Sequence, residues 1–398
     1  MVSVAEASAG ILSHLYNPKV ETCVITEAAG RVLAEKVLAD RDFPPFDRVA
    51  MDGIAISYNE WKRGQRKFPI EGTQAAGSPA SRLRQAGSAV EVMTGAVLPE
   101  RTDTVIRYED LVIHDNLATI QAKEVQHGQS IHRQGQDARQ GEVLLEPGII
   151  LSPAEIALLA SVGMGEVKVF AFPKTAIVAS GDELVEIETD PEPHQIRRSN
   201  TYAIQAAMKM MGWDGTQFHL LDDKNVLLDS LRMVTAAHDV VILSGGISKG
   251  KFDFIPRVLE EIGIKKVFQH VSQRPGKPFW FGVSDKGKTV FALPGNPVST
   301  YLCFFRYIRP WLLKSFGVTL KPSYAILAED VEFKPELTYF LQVQVKNELG
   351  KLTAWPDSGG GSGDFANLKK VDGFIELPLE QSAFKAGEAF PYVPFRIV

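Results

Sequence analysis

The chain is poor in cysteine, in long apolar runs and in surplus positive charge, and each shortage removes a class of protein. Cys23 and Cys303 are the only 2 cysteines, far apart and without a Cys-x-x-Cys or His-rich companion. Neither a disulfide framework nor a zinc site is suggested, and both thiols are expected to be buried. The longest apolar stretch, 149–162, is broken by Ser152, Pro153 and Glu155. It falls short of the roughly 20 residues that a membrane-spanning helix needs. Positions 1–16 include Glu6 and lack the basic start and unbroken apolar run of a secretory signal. The expectation is a soluble, cytoplasmic protein with no membrane partner. Its 43 basic and 48 acidic side chains leave a net charge of -5, which argues against a nucleic-acid partner held by overall positive charge.

What is present is ordinary globular composition: 45% hydrophobic and 23% charged residues exclude wholesale disorder. At 398 residues the chain predicts roughly two to four domains, because single cores stop growing at larger sizes. Ser3 and Glu6 have capping-box spacing before Val4, Ala7, Ile11, Leu12 and Leu15, so the chain begins with an amphipathic helix. A second helix starts at Pro153 and is expected to pack with the first. Between them, short β-rich runs such as 89–93 and 104–108 are punctuated by glycine.

From Lys174 the pattern becomes strand alternating with helix: 175–178, then a helix from Thr201; 217–221, then 226–237; 239–243, then 254–262; 289–293, then one helix over 298–316. This alternation implies a mainly parallel sheet covered on both faces. After Gly317 the segments 324–327, 340–345 and 373–377 read as strands of a terminal barrel or sandwich. The run Ser358 to Gly363 reads as a glycine-rich loop. The fold class is thus multidomain α/β plus β. A helical region comes from 1–25 with 143–170, a β-rich domain from 26–142, an α/β domain from 171–317 and a C-terminal β-barrel from 318–398.

In open parallel sheets, ligands lie beyond the carboxyl ends of the strands. Four such ends stand out: Ser180-Gly181-Asp182-Glu183, Asp222-Asp223, Ser244-Gly245-Gly246 leading to Asp253, and Pro294-Gly295-Asn296-Pro297. The glycine pair either admits an anion to backbone N–H groups or merely makes a tight turn. Asp253 and the Asp222-Asp223 pair have a plain alternative as helix caps, and Asn296 before Pro297 reads as an N-cap. Several carboxylates at adjacent strand ends repel one another unless a cation intervenes, and an all-oxygen set suits Mg²⁺ completed by phosphate. Arg274-Pro275-Gly276-Lys277 sets two cations around a turn that can pinch an oxyanion. In the β-rich region, Asp52-Gly53 and Thr94-Gly95 pair one polar side chain with glycine, and 135–139 reads as a loop held by an Asp137–Arg139 pair.

These motifs, together with 43–47 (Phe-Pro-Pro-Phe-Asp) and 50–53 (Ala-Met-Asp-Gly), stand in an order and spacing that resembles the molybdopterin molybdenumtransferases over essentially the whole chain. The resemblance implies a homodimer whose active cleft joins the α/β domain of one subunit to the β-rich domain of the other. It implies that adenylylated molybdopterin and molybdate become molybdenum cofactor, with Mg²⁺-dependent phosphoanhydride cleavage and AMP release. Carried over by motif, Glu183, Asp222 and Asp253 serve the metal and phosphates, and Asp52, Thr94, Asp137, Glu183, Asp253 and Lys277 are counted as catalytic. Asp52, Thr94 and Asp137 line the cleft. Ser244, Gly245, Gly246, Gly295, Asn296 and Pro297 bind substrate, and Arg274, Lys277, Pro294 and Ser362 lie near molybdate or the terminal phosphate. Three features depart from the family pattern: Arg274 stands where lysine is common, Gln342 where arginine is frequent, and Ser248-Lys249-Gly250-Lys251 is unusually basic for the loop preceding Asp253. The rival readings are a molybdopterin adenylyltransferase, which needs little beyond the α/β domain, and a dimeric scaffold that binds receptor tails.

Overall fold

The computed structural model describes residues 1–247 and 254–396. The chain folds into two compact units, one of Met1–Ala34, Pro147–Pro153 and Glu166–Val398, the other of Glu35–Glu146 and Ala154–Gly165.

The larger unit is built on a six-stranded sheet. Its strands Gly215–Leu220, Thr175–Ser180, Val240–Ser244 and Thr289–Leu293 run parallel in that spatial order. Pro278–Val283 and Lys265–His270 then extend the sheet antiparallel. The three central strands are buried along their whole length, as expected for strands covered on both faces. Alternation sorts their side chains. Ile177, Ile242 and Phe291 enter one core with the helices Asn200–Lys209 and Pro297–Cys303, whereas Val178, Leu243 and Ala292 enter another with Lys224–Ala237 and Ile255–Glu261. Pairing of Ala179 with Ser244 and of Ser244 with Leu293 brings the strand ends flush, so the motifs that follow them emerge on one edge.

The antiparallel pair was not expected from the sequence. Nor is 298–316 one regular helix: Pro297–Cys303 passes through a π-helical segment, Phe304–Ile308, into Arg309–Ser315. Pro310 has no N–H to give the Arg306 carbonyl, so the i,i+4 ladder is interrupted there.

The first helix, Val4–Leu12, carries the expected capping box: Glu6 N–H donates to Ser3 Oγ at 3.1 Å and Ser3 N–H to Glu6 Oε2 at 2.7 Å. Its buried side, Val4, Ala7 and Ile11, joins the core that holds Phe268 and Trp311. The segments Val20–Val24 and Glu166–Phe170 pair antiparallel. Beyond the sheet, Thr338–Glu348, Lys351–Pro356, Tyr324–Leu327, Ala389–Pro394 and Gly373–Leu377 pair in sequence, and the last closes on the first. This five-stranded barrel is filled by Leu327, Leu341, Val343, Ile375 and Phe390.

In the smaller unit a six-stranded sheet runs Thr104–Arg107, Gly53–Ile56, Ala89–Val92, Lys67–Gln74, Leu117–Ile120, Leu111–His114. Ile54 and Ile56 pack on one face with Trp61 and Phe68, and Ala55 on the other with Val90 and Val105. Among the described residues no helix is long and apolar enough to cross a membrane. Cys303 is buried, as expected, but Cys23 is only half-buried, because it lies on the two-stranded ribbon rather than in a core.

Candidate active site

The parallel strand ends of the larger unit enclose a cleft of about 290 Å³, lined by Glu183, Asp222, Ser244, Gly245, Gly246, Gly295, Asn296 and Pro297. At its floor, Ser180 Oγ donates to Asp222 Oδ1, while Asp222 N–H donates to Asp182 Oδ1 at 3.0 Å. Asp222 therefore faces the neighbouring strand end instead of capping the helix after it. That role falls to Asp223, whose Oδ1 accepts from Asn225 and Val226 N–H at 2.9 and 3.0 Å. Glu183 is exposed in the same cleft. Asp253, the third carboxylate expected here, and the basic run 248–251 lie outside the described residues, and among the described residues no three His, Cys, Asp or Glu gather as a metal cluster.

Both readings of the glycine pair can be weighed against its geometry. Gly245 has φ 102°, and a Cβ there would lie 2.4 Å from the Ser180 carbonyl oxygen; Gly246 has φ 66°. The turn alone thus requires both glycines, and the same close approach leaves their backbone lining the cleft.

Asn200, which sequence reasoning missed, ties two strand ends to the helix Pro297–Cys303. Its Nδ2 donates to Ser244 Oγ at 2.9 Å and to the Gly295 carbonyl at 2.8 Å, with Thr300 Oγ1 at 3.5 Å. The available signal was Arg197-Arg198-Ser199-Asn200 at the start of a helix, all four lining this cleft. Asn296 corrects another expectation. It occupies the N-cap position but makes no side-chain cap bond; Nδ2 donates to Ser362 Oγ at 2.8 Å. The Ser362 carbonyl takes Val298 N–H at 3.2 Å, so an orphan donor of the helix is satisfied from the glycine-rich loop and the Asn296 side chain is released.

A second cleft of about 310 Å³ shares Gly295 and Asn296 with the first and brings in Arg274, Lys277, Pro294 and Ser362. Arg274 and Ser362 in turn line a third, of about 350 Å³, with Gln342 and the loop 358–361. The two cations are exposed. Their turn is anchored from beneath by buried Gln273, which donates to the Gly276 carbonyl at 3.2 Å and accepts from Tyr307. Gln273 also approaches Cys303, whose thiol burial pushes up to about 12, leaving no reactive thiolate.

The smaller unit carries the remaining candidates. Asp52 Oδ1 accepts from Thr94 N–H at 2.6 Å and Thr94 Oγ1 at 2.7 Å, and these bonds, the backbone one first, hold its carboxyl below the ordinary range. Gly53 follows because a Cβ there would strike the Ile106 carbonyl oxygen at 1.9 Å. Asp137 is bonded to His132 Nε2 at 2.8 Å, not to Arg139, which the loop directs instead through its N–H to Glu142. Arg48 Nη2 lies 3.0 Å from His132 Nδ1, and since arginine only donates, Nδ1 accepts and Nε2–H points at Asp137.

The comparisons with known proteins bear on this arrangement along the whole chain. Residues 2–163 match the MoeA N-terminal region (domain I and II), 176–314 a probable molybdopterin binding domain, and 324–395 the MoeA C-terminal region (domain IV). The molybdopterin molybdenumtransferase of a Synechocystis species is 41% identical over 396 residues, covering 98% of this chain and 99% of that one. The chain belongs to the molybdopterin molybdenumtransferase family. The Haemophilus influenzae molybdopterin molybdenumtransferase is 32% identical, covering 99% of both chains. A crystal structure of a molybdopterin biosynthesis MoeA protein from Pyrococcus horikoshii aligns with a TM-score of 0.86 at 26% identity, over 99% of this chain and 100% of that one. Membership makes the chain an enzyme of molybdenum cofactor biosynthesis.

Proposed function

We propose that this enzyme converts adenylylated molybdopterin and molybdate into molybdenum cofactor, cleaving the phosphoanhydride and releasing AMP. The observation that supports this most is the confluence of the clefts: acidic Glu183 and Asp222 at one end, Arg274, Lys277 and Ser362 at the other, joined by Gly295 and Asn296. A ligand with a bridging diphosphate has one terminus for each end. The adenylate-bearing half is assigned to the strand-end cleft, and the dithiolene half with molybdate to the basic turn. This reading is independent of Gln342, whose neutral amide leaves Arg274 and Lys277 as the cations of that end.

The donor set suits Mg²⁺, which is held by one or two carboxylates and otherwise by phosphate and water. Glu183 and Asp222 are the described candidates to hold it, with Asp253 assigned by resemblance. When bound, the ion supplies charge neutralisation for the phosphoanhydride. Ser180 holds Asp222 in orientation, Gly246 offers its backbone N–H to phosphate while Gly245 N–H is held by the Leu293 carbonyl at 3.1 Å, and Lys277 offers a point charge to developing negative charge on an oxyanion. The enzyme is further proposed to be a homodimer in which Asp52, Thr94 and Asp137 of one copy complete the cleft of the other.

The test is incubation with adenylylated molybdopterin, molybdate and Mg²⁺, following AMP and protein-bound molybdenum together. Formation of adenylylated molybdopterin from molybdopterin and ATP would instead identify an adenylyltransferase, and a folded dimer releasing no AMP would leave the scaffold reading.

A further inference from the structure

A recess of about 430 Å³ on the larger unit, lined by neither the acidic nor the basic residues above, lies where the helix Arg309–Ser315 meets the barrel strand Ala389–Pro394. Its walls are mainly apolar, from Pro310, Leu313, Leu320 and Pro391, with Arg309 and Lys321 as cations. Arg306 and Glu376 also line it, but they cancel each other: Arg306 Nε donates to Glu376 Oε2 at 2.8 Å. Arg309 is different. It is half-buried, and among the described residues its guanidinium has no hydrogen-bond or ion-pair partner. Burial alone draws its guanidinium below its ordinary value. A partly desolvated cation with no partner in the fold draws no ion-pair stabilisation from it, and its donors are left for a ligand.

Arg309 is set at this place by the helix irregularity. Its own N–H reaches back five residues to the Phe304 carbonyl, at the junction where the π-helical turn gives way to the α-helix containing Pro310. The result is one planar donor fork at the edge of an apolar recess whose volume falls within the roughly 300–1,000 Å³ of small-molecule sites.

We propose that this recess is a binding site for a small apolar carboxylate, its carboxyl group paired with Arg309 and its hydrocarbon body lying on Pro310, Leu313, Leu320 and Pro391. One fork matches one carboxylate in a bidentate pair. A phosphate ester would bring more charge and more acceptors than Arg309 and rim Lys321 can satisfy, into walls that are chiefly hydrocarbon.

Titration calorimetry of the full chain with octanoate, octylammonium and acetate tests the assignment. Octanoate binds saturably, once per chain, while octylammonium, which has the tail without the anion, and acetate, which has the anion without the tail, bind at least about tenfold more weakly. Arg309→Met keeps the bulk and removes the charge: it weakens octanoate by about tenfold or more, and its unliganded melting temperature equals or exceeds that of the parent protein. Four results would overturn the proposal: octylammonium binding as tightly as octanoate, octanoate binding unchanged in Arg309→Met, a melting temperature well below the parent, which would make Arg309 structural, or a change of oligomeric mass on adding octanoate, which would give the recess to a second copy.

Discussion

Asp222 and Asp223 are adjacent in the chain and chemically identical, yet their carboxylates do separate work. Asp223 caps the helix Lys224–Ala237, so Asp223→Ala is expected to cost about 1 kcal/mol of stability and to leave AMP release close to normal. Asp222 accepts from Ser180 at the cleft floor, so Asp222→Asn is expected to lower AMP release on the order of 10²-fold with an unchanged melting temperature. Steady-state AMP assays with thermal melts on both variants separate the two roles. Asp52 offers a residue-level test in the other unit. Its carboxyl is depressed by the Thr94 backbone N–H and then by the Thr94 hydroxyl, so this contribution to stability is present above the unfolded-state pKa and fades as pH falls through the lower folded value. Thr94→Val keeps the amide and removes the hydroxyl. Carbon-detected NMR titration should find Asp52 titrating at higher pH than in the parent protein; an unmoved titration would mean that the hydroxyl bond does not form in solution.

At the scale of elements, the three central parallel strands were legible in sequence because burial on both faces writes them as nearly continuous apolar runs: 289–293 was read with the bounds the strand has. The turn after Val240–Ser244 is tightly constrained. Gly245→Ala sets a side chain at φ 102° and against the Ser180 carbonyl, and it is expected to lose roughly 2–5 kcal/mol from the unfolding of this unit, together with activity. Urea unfolding followed by tryptophan fluorescence checks it, since Trp213 and Trp280 lie in the two cores of this sheet. What the sequence hid was what depends on distant partners. The antiparallel strands Lys265–His270 and Pro278–Val283 flank the Arg274–Lys277 turn, whose chemistry drew the reading away from the strands. Asn296 looked like a cap because its local pattern is that of one, but Ser362, 66 residues later, claims its side chain. Asn200 and Gln273 matter only because the fold brings Gly295 and Tyr307 to them. The Asp137–His132 bond is likewise fixed by pairing of Ile131–His132 with Arg48–Val49, which local spacing to Arg139 does not reveal.

For the whole molecule, the proposed intersubunit cleft predicts complementation between dead variants. Asp52→Asn and Glu183→Gln each abolish both sites of their own homodimer, whereas a mixed dimer retains one site with neither change. After unfolding and refolding an equal mixture, about a quarter of parent activity returns; none returns if each subunit builds its site alone. The metal assignment is tested by chelation: removal of divalent ions stops AMP release without unfolding the protein, and Mg²⁺ restores it. The most direct measurement of the central claim is the stoichiometry of a single turnover, in which adenylylated molybdopterin, molybdate and Mg²⁺ are mixed with excess enzyme. The account predicts one AMP released per molybdenum retained, and loss of both with Glu183→Gln. Molybdenum incorporated without AMP, or AMP released at the parental rate by Glu183→Gln, would contradict it.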